Sequence, residues 1–398
     1  MPDIKTVRDM LPGVSDTVYL NTGTCGPLPQ LAYDEMSDEL RLDLTKARIS
    51  SDHFPRIMQS RNAVRAVVAA AIGADPAEIA VTSSTTDGMY SAILGYRWQA
   101  GDELLTTNIE HPGGLIPSFL AKRRFGVRVR VVDLGLGGGE PTDVVKAFER
   151  AITPRTRMIV LSHVSYTTGS KLPLKQIVGL AHAHDVLVVA DAAQSYGALN
   201  LDVHDIGVDA YACSGQKWMC GPDGTGALYV RADRAGEFEQ TFVSGGTIRE
   251  SLDYYGASYA PAFGAARFDT AGRNVGLMRG QIAATRWINE DLGADWVSSR
   301  ITEIAEHAYQ ELARLKNVTL VTPREALAGL IAFNVSGISG SDLAARMASE
   351  HNVTIRFVTK YINNPDAARV SLGFFNTKDD VSRLVDGIKT VQKTPGNG

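Results

Sequence analysis

The chain has 398 residues, enough for two ordinary domains, and with 44% hydrophobic and 21% charged residues its main state is folded rather than disordered. A formal net charge of −4 leaves no electrostatic footprint for nucleic acid and no polybasic patch for an anionic membrane. The three cysteines, Cys25, Cys213 and Cys220, form neither a CxxC pair nor an even disulfide framework, and no His/Cys/Asp/Glu cluster has the spacing of metal ligands.

Met1-Pro2-Asp3-Ile4-Lys5 lacks the basic opening of a secretory signal, and no apolar run approaches the ~18 residues of a membrane span, so a cytoplasmic protein is expected. From about Ile79 to Val230 short β-branched runs alternate with amphipathic helical stretches, the signature of a doubly wound α/β core. Ile79-Ala80-Val81 reads as a short strand, followed by the hydroxyl cluster Ser83-Ser84-Thr85-Thr86-Asp87-Gly88 at the opening of an apolar helix. Gly135-Leu136-Gly137-Gly138-Gly139-Glu140 mimics a dinucleotide loop, but the last glycine of GxGxxG is replaced by Glu140. With no helix-opening pattern directly after it, the segment reads as a glycine-rich surface turn. Arg157–Ser162 and Val186–Ala190 read as buried strands of a parallel sheet, with a helix over Pro173–His184 between them. Asp209–Cys213 and Gly226–Val230 follow as further strands. Beyond Arg273 the texture changes to two long helices, Leu277–Asp291 and Ala294–Leu315, then a mixed tail with strands Val318–Val321 and Ile331–Val335. The expected division is a large domain over 21–272 and a small one formed by 1–20 with 273–398.

The chemistry is concentrated between Val188 and Gly226. Asp191-Ala192-Ala193-Gln194 ends one apolar strand, and Ser214-Gly215-Gln216-Lys217, followed by Gly221-Pro222, ends another. Ligands of open α/β sheets bind beyond the carboxyl ends of the strands, so Asp191 and Lys217 should face one crevice. An acid and a lysine there are most often a structural ion pair. They also suit a lysine that forms a Schiff base with an aldehyde and a carboxylate that holds a proton on a ring nitrogen.

These segments, with Tyr19-Leu20-Asn21-Thr22-Gly23 near the start and Arg369-Val370-Ser371-Leu372-Gly373 near the end, resemble the pyridoxal-phosphate enzymes of aminotransferase class V. That group includes cysteine desulfurases, selenocysteine lyases, isopenicillin-N-epimerase-like proteins and C–S lyases. The resemblance implies the type I aminotransferase fold, pyridoxal 5'-phosphate as cofactor, an amino-acid substrate and a homodimer with its active site at the subunit interface. It makes Lys217 the Schiff-base lysine and proton shuttle, Asp191 the partner of the pyridinium nitrogen, Gln194 a partner of the ring hydroxyl and His111 the residue stacked on the ring. Thr85 and Thr86 fall where the family binds phosphate, although Ser and Thr there equally suit an ordinary N-cap. Ser214 and Gln216 would add phosphate contacts, Gln216 standing where many relatives carry histidine. Arg369 corresponds to the arginine that grips the substrate α-carboxylate, with Asn21 and its neighbours to Gly26 lining the same side.

Three departures from the family pattern bear on the reaction. Desulfurases carry a persulfide-forming cysteine upstream of the carboxylate arginine, whereas Thr354 to Ala368 holds no cysteine. Tyr166, in His163-Val164-Ser165-Tyr166, replaces the usual asparagine and either contacts cofactor or substrate or simply packs. The threonine that relatives lend to the neighbouring subunit's phosphate is expected to be replaced near Gly272, with either Thr247 or Thr270 as its substitute. The expected activity is a C–S lyase that cleaves an S-substituted cysteine by β-elimination. The alternatives are an aminotransferase or epimerase-like enzyme on the same frame, and a non-catalytic scaffold.

Overall fold

A computed structural model describes residues 2–249, 252–269, 274–358 and 366–393. Thr270, Gly272 and Arg273, and with them the expected domain boundary, lie outside the described residues. A short first strand, β1 (Val18–Tyr19), precedes the seven strands of the central sheet. These are β2 (Ile79–Thr82), β3 (Glu103–Thr107), β4 (Arg128–Val132), β5 (Thr156–Ser162), β6 (Leu187–Asp191), β7 (Ala210–Ser214) and β8 (Gly226–Val230). The later strands are β9 (Val318–Leu320), β10 (Leu330–Val335), β11 (Val353–Thr354), β12 (Arg356–Val358) and β13 (Ala367–Ser371).

The large sheet runs in the order β2-β8-β7-β6-β5-β3-β4. Neighbours from β7 to β4 pair in parallel, and β8 pairs antiparallel with both β2 and β7. The reversal at β8 has a local cause: no helix separates it from β7, and a parallel return needs a crossover. Strands β5 to β8 are buried on both faces almost throughout, as their continuous apolar runs require. The type I aminotransferase architecture expected from the sequence is present.

The smaller sheet, β12-β13-β10-β9, is antiparallel. Its core joins Ile331, Phe333 and Val370 to Ile304, Met347 and Leu384, on the helices Ala294–Ala313, Gly340–His351 and Lys378–Lys393. The chain start touches both cores: Val7, Leu11 and Val14 pack into the large one, Val18 and Leu20 into the small one. The pairing of β1 with β11, and Ser371 N donating to Leu20 O at 2.8 Å, carry the next residues to the β13 end.

Two local expectations need correction. A helix, Pro141–Ala151, does follow the glycine-rich turn, opened by proline at its first turn and closed over buried Val144 and Phe148. Nor does that turn lie wholly on the surface. Gly137 and Gly138 are buried, and Gly137, at φ 83, packs so tightly that a Cβ would sit 2.4 Å from Val321 O. The helix expected over Leu277–Asp291 is α-helical only from Val275 to Arg286; a π-helical stretch, Trp287–Gly293, joins it to Ala294–Ala313. Among the described residues no helix is long and apolar enough to cross a membrane, and no acidic or His/Cys cluster could hold a metal.

Arg65 anchors β2 through a buried ion pair with Asp269 and through Nε donating to Ile79 O at 3.1 Å, while Asp269 Oδ1 accepts from Val81 N at 2.8 Å. Arg65→Ala strands that carboxylate in the interior, and a loss of about 3–5 kcal/mol in urea unfolding is expected.

Candidate active site

Because β3, β5, β6 and β7 run in one direction, Thr107, Ser162, Asp191 and Ser214 end together along one edge of the sheet. Asp191, 4% exposed, is paired with Ser162 in register, and its Oδ1 accepts from Ala193 N at 2.9 Å. Beyond β7 the chain turns through Gly215 to Lys217. Part of the Lys217 surface opens onto a cavity of about 300 Å³, whose walls include Gly23, Thr24, His111, Tyr166, Gln194 and Arg369. The ammonium is otherwise enclosed by protein. Burial pulls its pKa from 10.5 down to about 8, with Asp191 opposing the shift and Arg369 adding to it.

The first loop of the chain closes this site. Gly26 N donates to Gln216 O at 2.7 Å, an approach only glycine permits, since a Cβ there would lie 2.1 Å from Lys217 O. Gln194 is held between the loops: its Nε2 donates to Gly23 O at 2.9 Å, and its Oε1 accepts from Trp218 Nε1 at 2.9 Å. Asn21 lies one layer further back. It does not line the cavity but accepts through Oδ1 from Thr24 Oγ1 at 2.7 Å, and Thr24 Oγ1 in turn accepts from Arg369 Nη2 at 3.0 Å. The residue expected to face the substrate thus acts through Thr24. Arg369, 3% exposed, also donates from Nη1 to Tyr166 O at 2.9 Å.

His111 combines two roles. It caps the helix Pro112–Phe125, its Nδ1 accepting from Gly113 N at 2.9 Å, and it also lines the cavity. Burial lowers its pKa, which leaves the ring neutral; the Tyr166 ring meets it edge-on at 4.8 Å. Tyr166 therefore contributes its carbonyl to Arg369, its ring to His111 and its surface to the cavity wall.

Polar atoms without protein partners mark where an anion can be received. Thr85 Oγ1 and Ser214 Oγ, hydroxyls able to donate, are buried and unpaired among the described residues; Gln216 Oε1 is also buried and unpaired but can only accept. Thr85 opens the 11-residue helix Thr85–Gly95, which Ser84 caps by accepting from Asp87 N at 3.1 Å. The capping role and the free hydroxyl therefore belong to different residues. Thr86 lies toward the His111 side, its Oγ1 2.9 Å from where a Cβ on Gly113 would stand. A helix N-terminus with unspent hydroxyls suits a phosphate, and the cavity lined by Lys217 and His111, with Asp191 near enough for its charge to act on both, suits a flat ring carrying an aldehyde. The residues present fit pyridoxal phosphate. Thr247, proposed as a substitute phosphate ligand, is instead spent locally, its Oγ1 accepting from Ser244 N at 2.9 Å and donating to Ser244 O at 3.0 Å.

Two further groups at this site were passed over in the sequence. Glu110 is fully buried, its carboxyl accepting from Thr107 Oγ1 at 2.6 Å and Ser162 Oγ at 2.5 Å; burial pushes it up to about 7. It is adjacent to His111 in sequence, but only its burial distinguishes it from a surface acid. Arg356 also lines the cavity, from a stretch searched only for cysteine.

The model of the family Aminotransferase class-V matches residues 18–384. A probable cysteine desulfurase of Methanothermobacter thermautotrophicus is 26% identical, over 97% of both chains. The isopenicillin N epimerase of Streptomyces clavuligerus is 28% identical, over 93% of this chain and 94% of its own. Among solved structures, the protein C-DES superposes with a TM-score of 0.89 at 27% identity, over 98% of this chain and 99% of its own. That structure is of a mutant with glycine covalently linked to the PLP cofactor. A second C-DES structure, described as a cystine C–S lyase with its product cysteine persulfide, has a TM-score of 0.88 at 27% identity, over 95% and 98% of the two chains.

Enclosure of the Lys217 ammonium has a consequence for stability. With a native value near 8 against an ordinary 10.5, the unfolded chain binds more protons between these limits, so the cofactor-free protein gains stability as pH rises through that window. Below it the penalty is fully present. Lys217→Met should raise the stability of the cofactor-free protein at pH 7 by roughly 1–3 kcal/mol and flatten the rise above pH 8, as read from denaturant midpoints across pH.

Proposed function

The chain belongs to the class V aminotransferases, the pyridoxal-phosphate-dependent enzymes, and on that premise we propose that it is a C–S lyase acting on S-substituted cysteines. The observation that carries the reading is the lack of a thiol fit to accept sulfur. No cysteine occurs between Thr354 and Ala368. Cys213 and Cys220 are buried, and burial holds both thiols far above the ordinary value. Cys25 is raised by burial and by Asp223, with Lys217 only partly opposing. A lysine and a carboxylate-gripping arginine without a sulfur acceptor suit release of the thiol into solution.

When bound, pyridoxal phosphate supplies a protonated pyridine ring that absorbs the electron pair freed at an amino-acid Cα. Asp191 would hold the ring nitrogen's proton, and Thr85, Thr86, Ser214 and Gln216 would receive the phosphate. Gln194 and His111 would hold the ring between them. Arg369 would clamp the substrate α-carboxylate with a guanidinium already oriented by Tyr166 O and Thr24. Lys217, with its amine value near pH 8, would take the proton from Cα. The Cβ–S bond breaks, sulfur leaves as a thiolate that gains a proton, and water converts the remaining three-carbon fragment to pyruvate and ammonia. We place the cofactor on the large domain expected over 21–272, to whose core Val7, Leu11, Val14, Val275, Met278 and Ile282 also contribute, with the small domain built on the sheet β12-β13-β10-β9. The strongly exposed Leu44, Ile49, Phe54, Tyr254, Tyr255 and Phe263 suit burial in a homodimer.

Similarity to isopenicillin N epimerase favours a second reading, inversion at Cα. Wash-out of the Cα hydrogen into deuterated solvent, without pyruvate, would be its mark.

The purified holoprotein should absorb in the visible and convert S-methyl-cysteine to pyruvate, ammonia and methanethiol in equal amounts. Lys217→Ala should abolish turnover. Alanine as product, or sulfur transferred to a thiol of the protein, would overturn the lyase reading. Thr85→Ala and Ser214→Ala should each weaken cofactor binding by about 10-fold or more, measured by titrating the apo-protein and following the visible band.

A further inference from the structure

The helix His53–Ile72 carries two arginines one turn apart, Arg61 and Arg65, and both are buried. At a spacing of four residues they share one helix face, where like charges repel. The acid set against this face is Asp269, whose carboxylate is bonded to Arg65. Arg61 is near enough for its charge to act on that carboxylate but makes no ion pair with it. The pair therefore carries more positive charge than this acid cancels. All three nitrogens of Arg65 are engaged: Nε donates to Ile79 O, Nη1 to Asn62 Oδ1 and Nη2 to Asp269. Arg61 engages none. Among the described residues it has no hydrogen bond and no ion pair, its Nε is sealed from solvent, and the residue is 7% exposed. A guanidinium this deep has little water to solvate it, and a buried charge is costly unless an anion meets it.

The turn over 244–247 lies against this guanidinium and leaves donors unspent. Thr247 N donates to Ser244 O at 2.9 Å and closes the turn. The Ser244 hydroxyl and the N–H groups of Gly245 and Gly246 have no partner among the described residues. Both glycines are exposed, and nothing lies within 4 Å of where a Cβ on Gly245 would stand, so the approach from solvent is open. A Cβ on Gly246 would stand 2.9 Å from Arg61 Nη1 and 3.9 Å from Ser244 Oγ. The bare glycine leaves empty, between guanidinium and hydroxyl, a space that any side chain would fill.

We propose that Arg61, the Ser244 hydroxyl and the N–H groups of Gly245 and Gly246 form an oxyanion site that takes a small tetrahedral anion of the phosphate type. A planar fork on one side and a hydroxyl with backbone N–H groups on the other suit an anion whose oxygens point in several directions. A bound anion supplies the negative charge that the arginine pair lacks. None of these residues lines the cavity that holds Lys217, so the site stands whichever reaction the lysine performs.

The test uses holoenzyme saturated with pyridoxal phosphate, so that added phosphate finds the cofactor's own place filled. Inorganic phosphate is titrated calorimetrically. Melting temperatures are then read in about 5 mM phosphate and in chloride of equal ionic strength, where general salt exclusion is small. The wild type should bind one phosphate per chain and melt about 1–3 °C higher in phosphate. Arg61→Met keeps an unbranched stem and removes the unpaired charge. In chloride it should melt above the wild type, and it should lose both phosphate binding and the phosphate response. Gly246→Asp keeps the arginine and sets a carboxylate beside it, and it should show the same two changes. Retained visible bands confirm that both variants have formed the active site. If the wild type binds no phosphate, or the variants bind it equally well, the inference falls. It falls too if Arg61→Met melts below the wild type in chloride, because the guanidinium then already has a partner in the assembled protein, such as a carboxylate of a second copy.

Discussion

The site depends on holding an ammonium and a carboxylate together at one edge of a sheet where water is largely excluded. Asp191 is 4% exposed, and Lys217 is enclosed closely enough for its amine to fall to about 8. Enclosing the ammonium is costly, because a buried charge loses its hydration, and Asp191 offsets part of that cost. Each tempers the other, and the remaining imbalance makes the amine available as a base near neutral pH. Parallel pairing of β5, β6 and β7 brings this about, since only strands that run in one direction deliver their last residues to the same crevice.

Around that pair the structure leaves some polar groups unspent and commits others. Ser84 caps the helix Thr85–Gly95, so Thr85 keeps its hydroxyl for a ligand. His111 spends Nδ1 on capping the next helix and keeps its ring face on the cavity. Glu110, next to it in sequence, accepts from the Thr107 and Ser162 hydroxyls, and burial holds it near 7, so it places no full negative charge beside Asp191 at neutral pH. The first loop, carried in by β1 and β11, seals the lysine turn through Gly26 and supports Arg369 through Thr24. A site built from strand ends, helix starts and a returning N-terminal loop is incomplete unless both cores have formed, which couples cofactor binding to folding of the whole chain.

Much of this was legible in the sequence. Strands buried on both faces must be apolar throughout, so β5, β6, β7 and β8 stood out within a residue or two at each end. Asp191 ends a strand and Lys217 follows one, so both were readable from position, whereas Thr85 and His111 at helix starts and Arg369 in the middle of β13 were singled out by the family resemblance. The helix Pro141–Ala151 was missed because proline after a glycine run reads as a turn, although proline at a first helical turn loses no hydrogen bond. The reversal of β8 was not read either, since a buried strand has the same composition in either direction.

The alternation of strands and helices by itself determined the α/β class and the common strand-end location of Asp191 and Lys217, because periodicity and strand-end position are local properties. Only the tertiary structure decided what depends on contacts distant in sequence. It set Asn21 behind Thr24, freed Thr85 by giving the cap to Ser84, and occupied Thr247 with Ser244. It also paired Arg356 with Arg369 across one ladder. A side chain's neighbours follow from register and packing, and residues hundreds of positions apart acquire a common environment only when the chain closes on itself.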